Sequence, residues 1–168
     1  MHHRPKLQSV LAHTGEELGQ EYFRVRFKLD PDPEHRYKAE ALWAKSLGKG
    51  LYRVENCPFL LYGVSFHDVV RARKRAGTLE FTGVAKRGGH STYRVFLDGG
   101  VSPADERVLR GERRLRQMGC SIERATDTWF AVDVPAGADI HAVYEEMAGI
   151  EEAGVWGFEE GHHVHRAS

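Results

Sequence analysis

Residues 87–97, which read RGGHSTYRVFL, mark the point at which the character of the chain changes. Two successive glycines interrupt the preceding pattern, and Tyr93, Val95 and Leu97 then recur at every second position. This alternation is typical of a strand with one buried face, and it predicts a strand over residues 90–97. The chain after this strand predicts helices as well as strands, whereas the chain before it predicts strands alone.

Downstream of residue 97, the pattern predicts the order helix, strand, strand, helix, strand. Ser102 is the predicted N-cap of the first helix, because a proline suited to the first helical position follows it. Residues 120–125 and 129–134 read as a hairpin, Asp139 as the cap of the second helix, and residues 155–159 as the last strand. Together with the strand at 90–97, this is the β-α-β-β-α-β order of ferredoxin-like domains.

Upstream of residue 88, five short strands with no helix between them indicate a small antiparallel β-sheet or barrel. They are predicted over residues 22–29, 37–45, 50–55, 69–74 and 78–86. The predicted fold class is therefore α+β, with this sheet or barrel followed by a ferredoxin-like domain. Its predicted divisions are a loose N-terminal segment at 1–20, the barrel-like domain at 21–88, the ferredoxin-like domain at 89–161 and a histidine-rich tail at 162–168.

The second domain is expected to cover one face of its sheet with helices and to leave the other face free. Thr92, Arg94, Trp129 and Asp133 are predicted to lie on that free face. Two alternatives follow: either the face packs against the first domain, or it presents a binding surface.

The composition excludes some classes of protein. No apolar run approaches the roughly 20 residues that a bilayer-spanning helix needs, and no apolar stretch follows the N-terminal residues as in a secretory signal. The two cysteines, Cys57 and Cys120, lack metal-site spacing and are too few for a disulfide framework. We therefore expect a soluble cytoplasmic protein that does not associate with membranes.

The net charge is zero, with 24 Lys and Arg against 24 Asp and Glu, but it is unevenly placed. Residues 1–98 hold 17 basic and 11 acidic residues, whereas residues 99–168 hold 7 and 13. The two halves thus carry +6 and −6. This asymmetry indicates either that each half faces a different kind of partner or that the halves attract each other.

Residues 87–95, together with 41–44, 50–56 and 63–70, carry a resemblance to a known family. The chain resembles a bacterial family described as domain of unknown function 4265, and the resemblance covers roughly residues 22–160. That family implies no activity, substrate or cofactor.

A second resemblance lies in residues 103–161, where residues 154–162 read GVWGFEEGH. This part is similar to the regulator of ribonuclease E activity B, a non-catalytic family that acts by binding a nuclease. The similarity implies a regulatory protein that binds a protein partner. If only a common fold is shared, it implies nothing about function.

The segment around residue 90 is a candidate site for a ligand or anion, with the residues Arg87, Gly88, Gly89, His90, Ser91, Thr92 and Arg94. Two glycines let successive backbone N–H groups converge, and the polar side chains could add donors to a phosphate or carboxylate. The alternative is a hinge between two lobes. An enzyme or small-ligand site in the inter-lobe cleft around His90 also stays open, with His67 and Asp68 as groups that the fold could bring near.

A basic strand face is a candidate nucleic-acid surface, and its residues are Arg24, Arg26, Lys28, Arg71 and Arg73. Such a face could follow a phosphate backbone, with Trp43 and Tyr52 as aromatic neighbours. The alternative is the solvated outer face that any half-exposed sheet has.

Two further patterns are open to more than one interpretation. His163 and His165 would face the same way on an extended segment and could bind a metal together, or they could belong to a solvated chain end. Arg107, Arg110 and Arg114 form a stripe on the first helix that could dock an acidic partner. Internal ion pairs, from Glu106 to Arg110 and from Glu112 to Arg116, are the alternative.

The leading hypothesis from the sequence is a non-catalytic binding or regulatory protein. The ferredoxin-like domain would bind a protein partner, and the basic sheet would bind a nucleic acid or another anion. No cofactor is predicted.

Overall fold

The first five strands form a closed barrel in a computed structural model that describes residues 22–33 and 36–163. The strands are β1 (Tyr22–Lys28), β2 (Ala39–Gly48), β3 (Leu51–Val54), β4 (Val69–Arg75) and β5 (Thr78–Lys86). Consecutive strands pair antiparallel. β1 and β5 pair in parallel, because an odd number of alternating strands brings the first and the last into the same direction. The expected small barrel is present, but the two strands that close it, β1 and β5, run parallel to each other.

The remaining elements form a four-stranded sheet with two helices. They are β6 (Ser91–Leu97), α1 (Glu106–Gln117), β7 (Ser121–Thr126), β8 (Trp129–Val134), α2 (Ile140–Glu152) and β9 (Trp156–His162). The sheet order is β7-β8-β6-β9, and all neighbouring strands are antiparallel. The mixed α+β class expected from the sequence is confirmed.

The start of α1 differs from the prediction. Ser102 does not cap the helix: its carbonyl oxygen accepts from the backbone N–H of Asp105, which makes a turn ahead of the helix. Asp105 is the N-cap, with an extended backbone and a carboxylate that accepts from the N–H of Arg107. A carboxylate at this position also interacts favourably with the positive end of the helix dipole.

Two faces of the second sheet are buried in different cores. Phe130 and Val132 of β8 pack with α1 and α2, whereas Trp129 and Ala131 belong to the core of the barrel. All six residues of β8 are buried, because the strand has the helices on one side and the barrel on the other. The face that the sequence left open thus packs against the barrel.

Residues 56–68, called here the junction segment, lie between the barrel and the second sheet. On the barrel side, the carboxylate of Glu40 accepts from the backbone N–H groups of residues 59, 60 and 61 at 2.7–3.0 Å. On the sheet side, Glu123 accepts from the N–H of Cys57, and the hydroxyl of Thr92 donates to that of Ser65. The junction segment is therefore hydrogen-bonded to both parts of the molecule.

Neither helix of the described chain combines the length and the apolar character that crossing a membrane requires.

Candidate functional site

Asp68 occupies the centre of the predicted anion site. This carboxylate is fully buried and accepts from the backbone N–H of Gly88 at 2.8 Å, from that of Ser65 at 3.1 Å and from the guanidinium of Arg87 at 2.9 Å. Arg87 and Gly88 thus both donate to an anion, the side chain of Asp68. That anion is part of the protein, so an external phosphate or carboxylate would have to displace Asp68.

His90 forms a close pair with Asp133. Its Nδ1 lies 2.8 and 3.0 Å from the two carboxylate oxygens, and its side chain is 14% exposed. The ring of His67 lies 5.1 Å from that of His90, centroid to centroid, and its Nε2 is 3.5 Å from Glu55. Burial raises the pKa of Asp133 and lowers that of His67. A carboxylate on Nδ1 fixes the orientation of an imidazole, as in acid–base dyads.

Ser91, Thr92 and Arg94 do not share a ligand surface with Arg87. All three are fully buried, while the side chain of Arg87 is 43% exposed. The guanidinium of Arg94 donates to the carbonyl oxygen of Leu61 and lies over the ring of Tyr62 at 4.3 Å. This buried arginine therefore connects β6 to the junction segment. The seven predicted residues therefore do not form one site. Arg87 and Gly88 contact Asp68, His90 contacts Asp133, and Arg94 contacts the junction segment.

The two groups of basic residues predicted to bind nucleic acid lie on one side of the barrel. Arg26 of β1 pairs in register with Glu80 of β5, and Glu80 pairs on its other side with Arg73 of β4. The outer face of β1, β5 and β4, called here the basic face, therefore brings together all five predicted residues. They are Arg24, Arg26, Lys28, Arg71 and Arg73.

The members of the basic face differ in how far they are engaged. Arg24 lies over Trp43 at 5.3 Å and donates to a carbonyl oxygen of β2, and Arg71 donates weakly to the carbonyl oxygen of Val84 at 3.5 Å. Arg26 is 3.5 Å from Glu80. Lys28 and Arg73 are exposed, and within the described ranges 22–33 and 36–163 neither has an acidic partner.

The predicted metal ligands are not brought together by any described element. His163 is exposed at the end of the described chain, and His165 lies outside the described residues. Within the described part, no cluster of three or more His, Cys, Asp or Glu side chains could hold a metal ion.

The expected ion pairs along α1 are wrong in their partners. Glu106 pairs with Arg113 at 2.6 Å rather than with Arg110. Glu112 is buried on the side of the helix that faces the sheet and pairs with Arg124 of β7, so it is turned away from Arg116. Arg110 and Arg116 have no acidic partner in the part of the chain that the structure describes.

One acidic residue that organises the junction segment, Glu40, was not among the residues singled out from the sequence. Glu40 lies on the same strand face as the buried Leu42 and Ala44, so the alternation of β2 could have marked it as an inward carboxylate. Asp68 and Asp133 were named from the sequence, but their partners Arg87, Gly88 and His90, which lie 19, 20 and 43 residues away, were not assigned to them.

The arrangement of barrel and second sheet occurs in a solved structure. A protein from Neisseria gonorrhoeae, described as "Novel crystal structure of a hypothetical protein", is similar with a TM-score of 0.70 and 15% sequence identity. The similarity covers 88% of this chain and 97% of that chain, and at this identity it shows the fold alone. No curated protein matches the chain. Residues 40–158 match the family described as "Domain of unknown function (DUF4265)", and the chain belongs to that family.

Proposed function

We propose that this protein is a non-catalytic binding protein whose barrel binds a nucleic acid on the basic face. The observation that carries this proposal is the separation of charge in the barrel. The described residues 22–33 and 36–88 hold 14 Lys and Arg against six Asp and Glu, a net charge of +8. Two of the six acids, Glu40 and Asp68, accept hydrogen bonds from backbone N–H groups of the junction segment.

The dimensions of the basic face favour a polymer over a single small anion. β1 and β4 are separated by one strand, so their outer side chains start roughly 10 Å apart. From Arg24 to Lys28 the face extends about 13 Å along the strand. Phosphates spaced along a nucleic acid could contact several of these side chains at once, and each contact would release a counterion.

Glu80 is the acidic residue that limits this face. It lies between Arg26 and Arg73 in the strand register and contacts Arg26 at 3.5 Å and Arg75 at 3.8 Å. Exposed ion pairs of this kind contribute little to stability. We therefore infer that a phosphate could replace Glu80 as the partner of these arginines.

A regulatory role and a ferredoxin-like second domain are parts of the same proposal. The order β-α-β-β-α-β, with β6 and β8 at the centre of the sheet, supports the ferredoxin-like assignment. The resemblance of residues 103–161 to the regulator of ribonuclease E activity B supports the binding of a protein partner by this domain.

Fluorescence anisotropy with a labelled single-stranded RNA of about 15 nucleotides tests the nucleic-acid site. We expect Arg73→Glu to weaken binding roughly tenfold at about 50 mM salt and to reduce the slope of log K against log salt by about 0.7 or more. Glu80→Gln should strengthen binding, because it removes the negative charge from the centre of the basic face.

Arg116→Glu is the matched control. It makes the same change in net charge on an exposed arginine of α1, so we expect it to alter RNA affinity by no more than about twofold. An equal loss in the Arg73 and Arg116 variants would indicate a response to net charge and would refute the site. Absence of RNA binding by the unmodified protein at low salt would refute the proposed function.

A further inference from the structure

A groove of about 410 Å³ lies between α1 and α2, on the side of the second sheet that faces away from the barrel. Arg107, Arg110 and Arg114 form its wall on α1, and Ile150 contributes apolar surface. The groove is open to solvent, and its volume lies in the lower part of the range found for ligand-binding clefts.

The floor of the groove is fixed by close packing. A Cβ atom at Gly111 would lie 2.7 Å from both Ile150 Cδ1 and Trp156 Cη2, so α1 approaches α2 and the sheet more closely than any larger residue would allow. Trp156 is fully buried, and its indole N–H donates to the carbonyl oxygen of Met147. The arginines therefore project from a backbone whose position is determined by the core.

Arg110 is the unengaged member of the wall. Arg107 is held by Asp105 at 2.7 Å, and Arg114 is held by Glu146 at 2.8 Å. Arg110 is exposed and has no ion pair with any residue of the described chain. The arginine side chains of these two ion pairs are at least half exposed. A carboxylate of a ligand could therefore replace Asp105 or Glu146 as their partner at little cost in free energy.

Positive charge is concentrated on this helix within an otherwise acidic part of the chain. The described residues 89–163 hold seven arginines against 14 Asp and Glu, and five of those arginines lie on α1. An acidic ligand would thus be repelled by most of this surface and attracted at α1. Such a contrast favours one docking position over others.

The spacing of the arginines fits an extended peptide. Arg110 and Arg114 are four residues apart, which is about 6 Å along the helix axis. Side chains on the same side of an extended segment recur about every 6.7 Å. Two carboxylates placed two residues apart could therefore each meet one arginine.

We propose that the α1–α2 groove docks an extended acidic segment of a partner protein, with its alternate carboxylates on Arg110 and Arg114. This site is independent of the basic face of the barrel and lies on a different part of the molecule. Its occupant is recognised by charge and by the side-chain spacing of a peptide.

Titration of the full chain with a fluorescein-labelled octapeptide of alternating Asp and Ala tests the proposal. We expect saturable binding that is lost when the Asp residues are replaced by Asn. Arg110→Glu should weaken binding about fivefold or more, and Arg110→Gln should weaken it less. Arg116→Glu again serves as the control, because Arg116 is on the same helix but does not line the groove.

Each outcome decides the proposal. Binding that is insensitive to Arg110→Glu, or equally sensitive to Arg116→Glu, would overturn it. Displacement of the peptide by single-stranded RNA from the α1–α2 groove would assign the groove to nucleic acid instead. Retention of RNA binding by the Arg110 variant, with loss of peptide binding, would support two separate sites. Far-UV circular dichroism checks folding, and Arg110→Gln repeats the test if the reversed charge disturbs the helix.

Discussion

At Gly88 the backbone that leaves the barrel passes so close to His67 that a Cβ atom would lie 2.6 Å from its carbonyl carbon and oxygen. His67 has a φ of 63°, in the left-handed region, so it has little freedom to move away. The N–H of Gly88 also donates to the buried carboxylate of Asp68. A single hydrogen in place of a side chain thus allows this crossing.

We expect Gly88→Ala to lower the free energy of unfolding by about 2–4 kcal/mol, from overpacking and from loss of a hydrogen bond to a buried charge. Urea denaturation followed by circular dichroism measures the change. Gly83→Ala is the matched control, because Gly83 has no positive φ and nothing within 4 Å of the added Cβ. A loss at Gly88 no larger than that at Gly83 would contradict the packing argument.

The residues of the candidate site were only partly predictable. The glycine pair and its polar neighbours drew attention to residues 87–94, because glycines between two strands mark a turn or a close approach of the backbone. What they bind could not be read from the sequence. Asp68 meets Arg87 when β4 pairs with β5, and Asp133 meets His90 when β6 pairs with β8, so these contacts join residues 19 and 43 positions apart in sequence. Local patterns carry no information on such contacts.

At the scale of elements, the junction segment is hydrogen-bonded to a carboxyl group whose pKa is raised, that of Glu123. Glu123 of β7 accepts from the N–H of Cys57 at 3.0 Å, and burial raises the pKa of Glu123 to about 7. The folded protein therefore retains a proton on this group between about pH 4.5 and 7, where the unfolded chain has lost it. This contribution to stability is complete below pH 4.5 and is lost as the pH rises through 7.

Glu123→Gln should remove that dependence. Relative to the variant, we expect the unmodified protein to lose about 3 kcal/mol of stability between pH 4.5 and pH 8, because the pKa differs by about 2.5 units between the folded and unfolded states and one unit corresponds to about 1.4 kcal/mol. Urea denaturation of both proteins at several pH values gives the difference. Parallel stability profiles across this range would show that the carboxylate titrates near its ordinary pKa.

The elements themselves were more predictable than their ends and their packing. Alternation located the strands, and the apolar spacing located both helices, since these signals lie within a few neighbouring residues. The start of α1 was placed at Ser102 because Ser-Pro resembles a helix start. Asp105 provides the actual cap, three residues later. The turn formed by residues 102–105, which delays the helix start, was not predicted from the sequence.

At the scale of the whole molecule, the two proposed surfaces lie on parts of opposite charge. The described barrel carries +8, while residues 89–163 carry −7. A nucleic acid on the basic face would be repelled by the net negative charge of residues 89–163, and the basic helix α1 lies on the side of the second sheet away from the barrel, so the barrel is the favoured position. An acidic peptide at α1 would be kept to one helix by the same field. One protein could thus hold two anionic partners without exchanging them.

The core of the barrel includes residues of the second sheet. Trp129 of β8 belongs to the barrel core, where it contacts Phe59 of the junction segment and stacks on Phe96 of β6. Separating the two parts would expose this fully buried indole together with the polar groups around Asp68 and Arg94. We therefore expect a single cooperative unfolding transition rather than two.

Hydrogen exchange of the full chain tests this expectation, with the buried strand positions Val25 of the barrel and Val132 of β8 as reporters. Their protection should correspond to the same free energy and should fall together in urea. Trp129→Ala should lower both by about 3–5 kcal/mol, since it removes a large side chain from the shared core. Loss of protection at Val25 alone would mean that the barrel opens without the second sheet and that the junction does not join them into one folding unit.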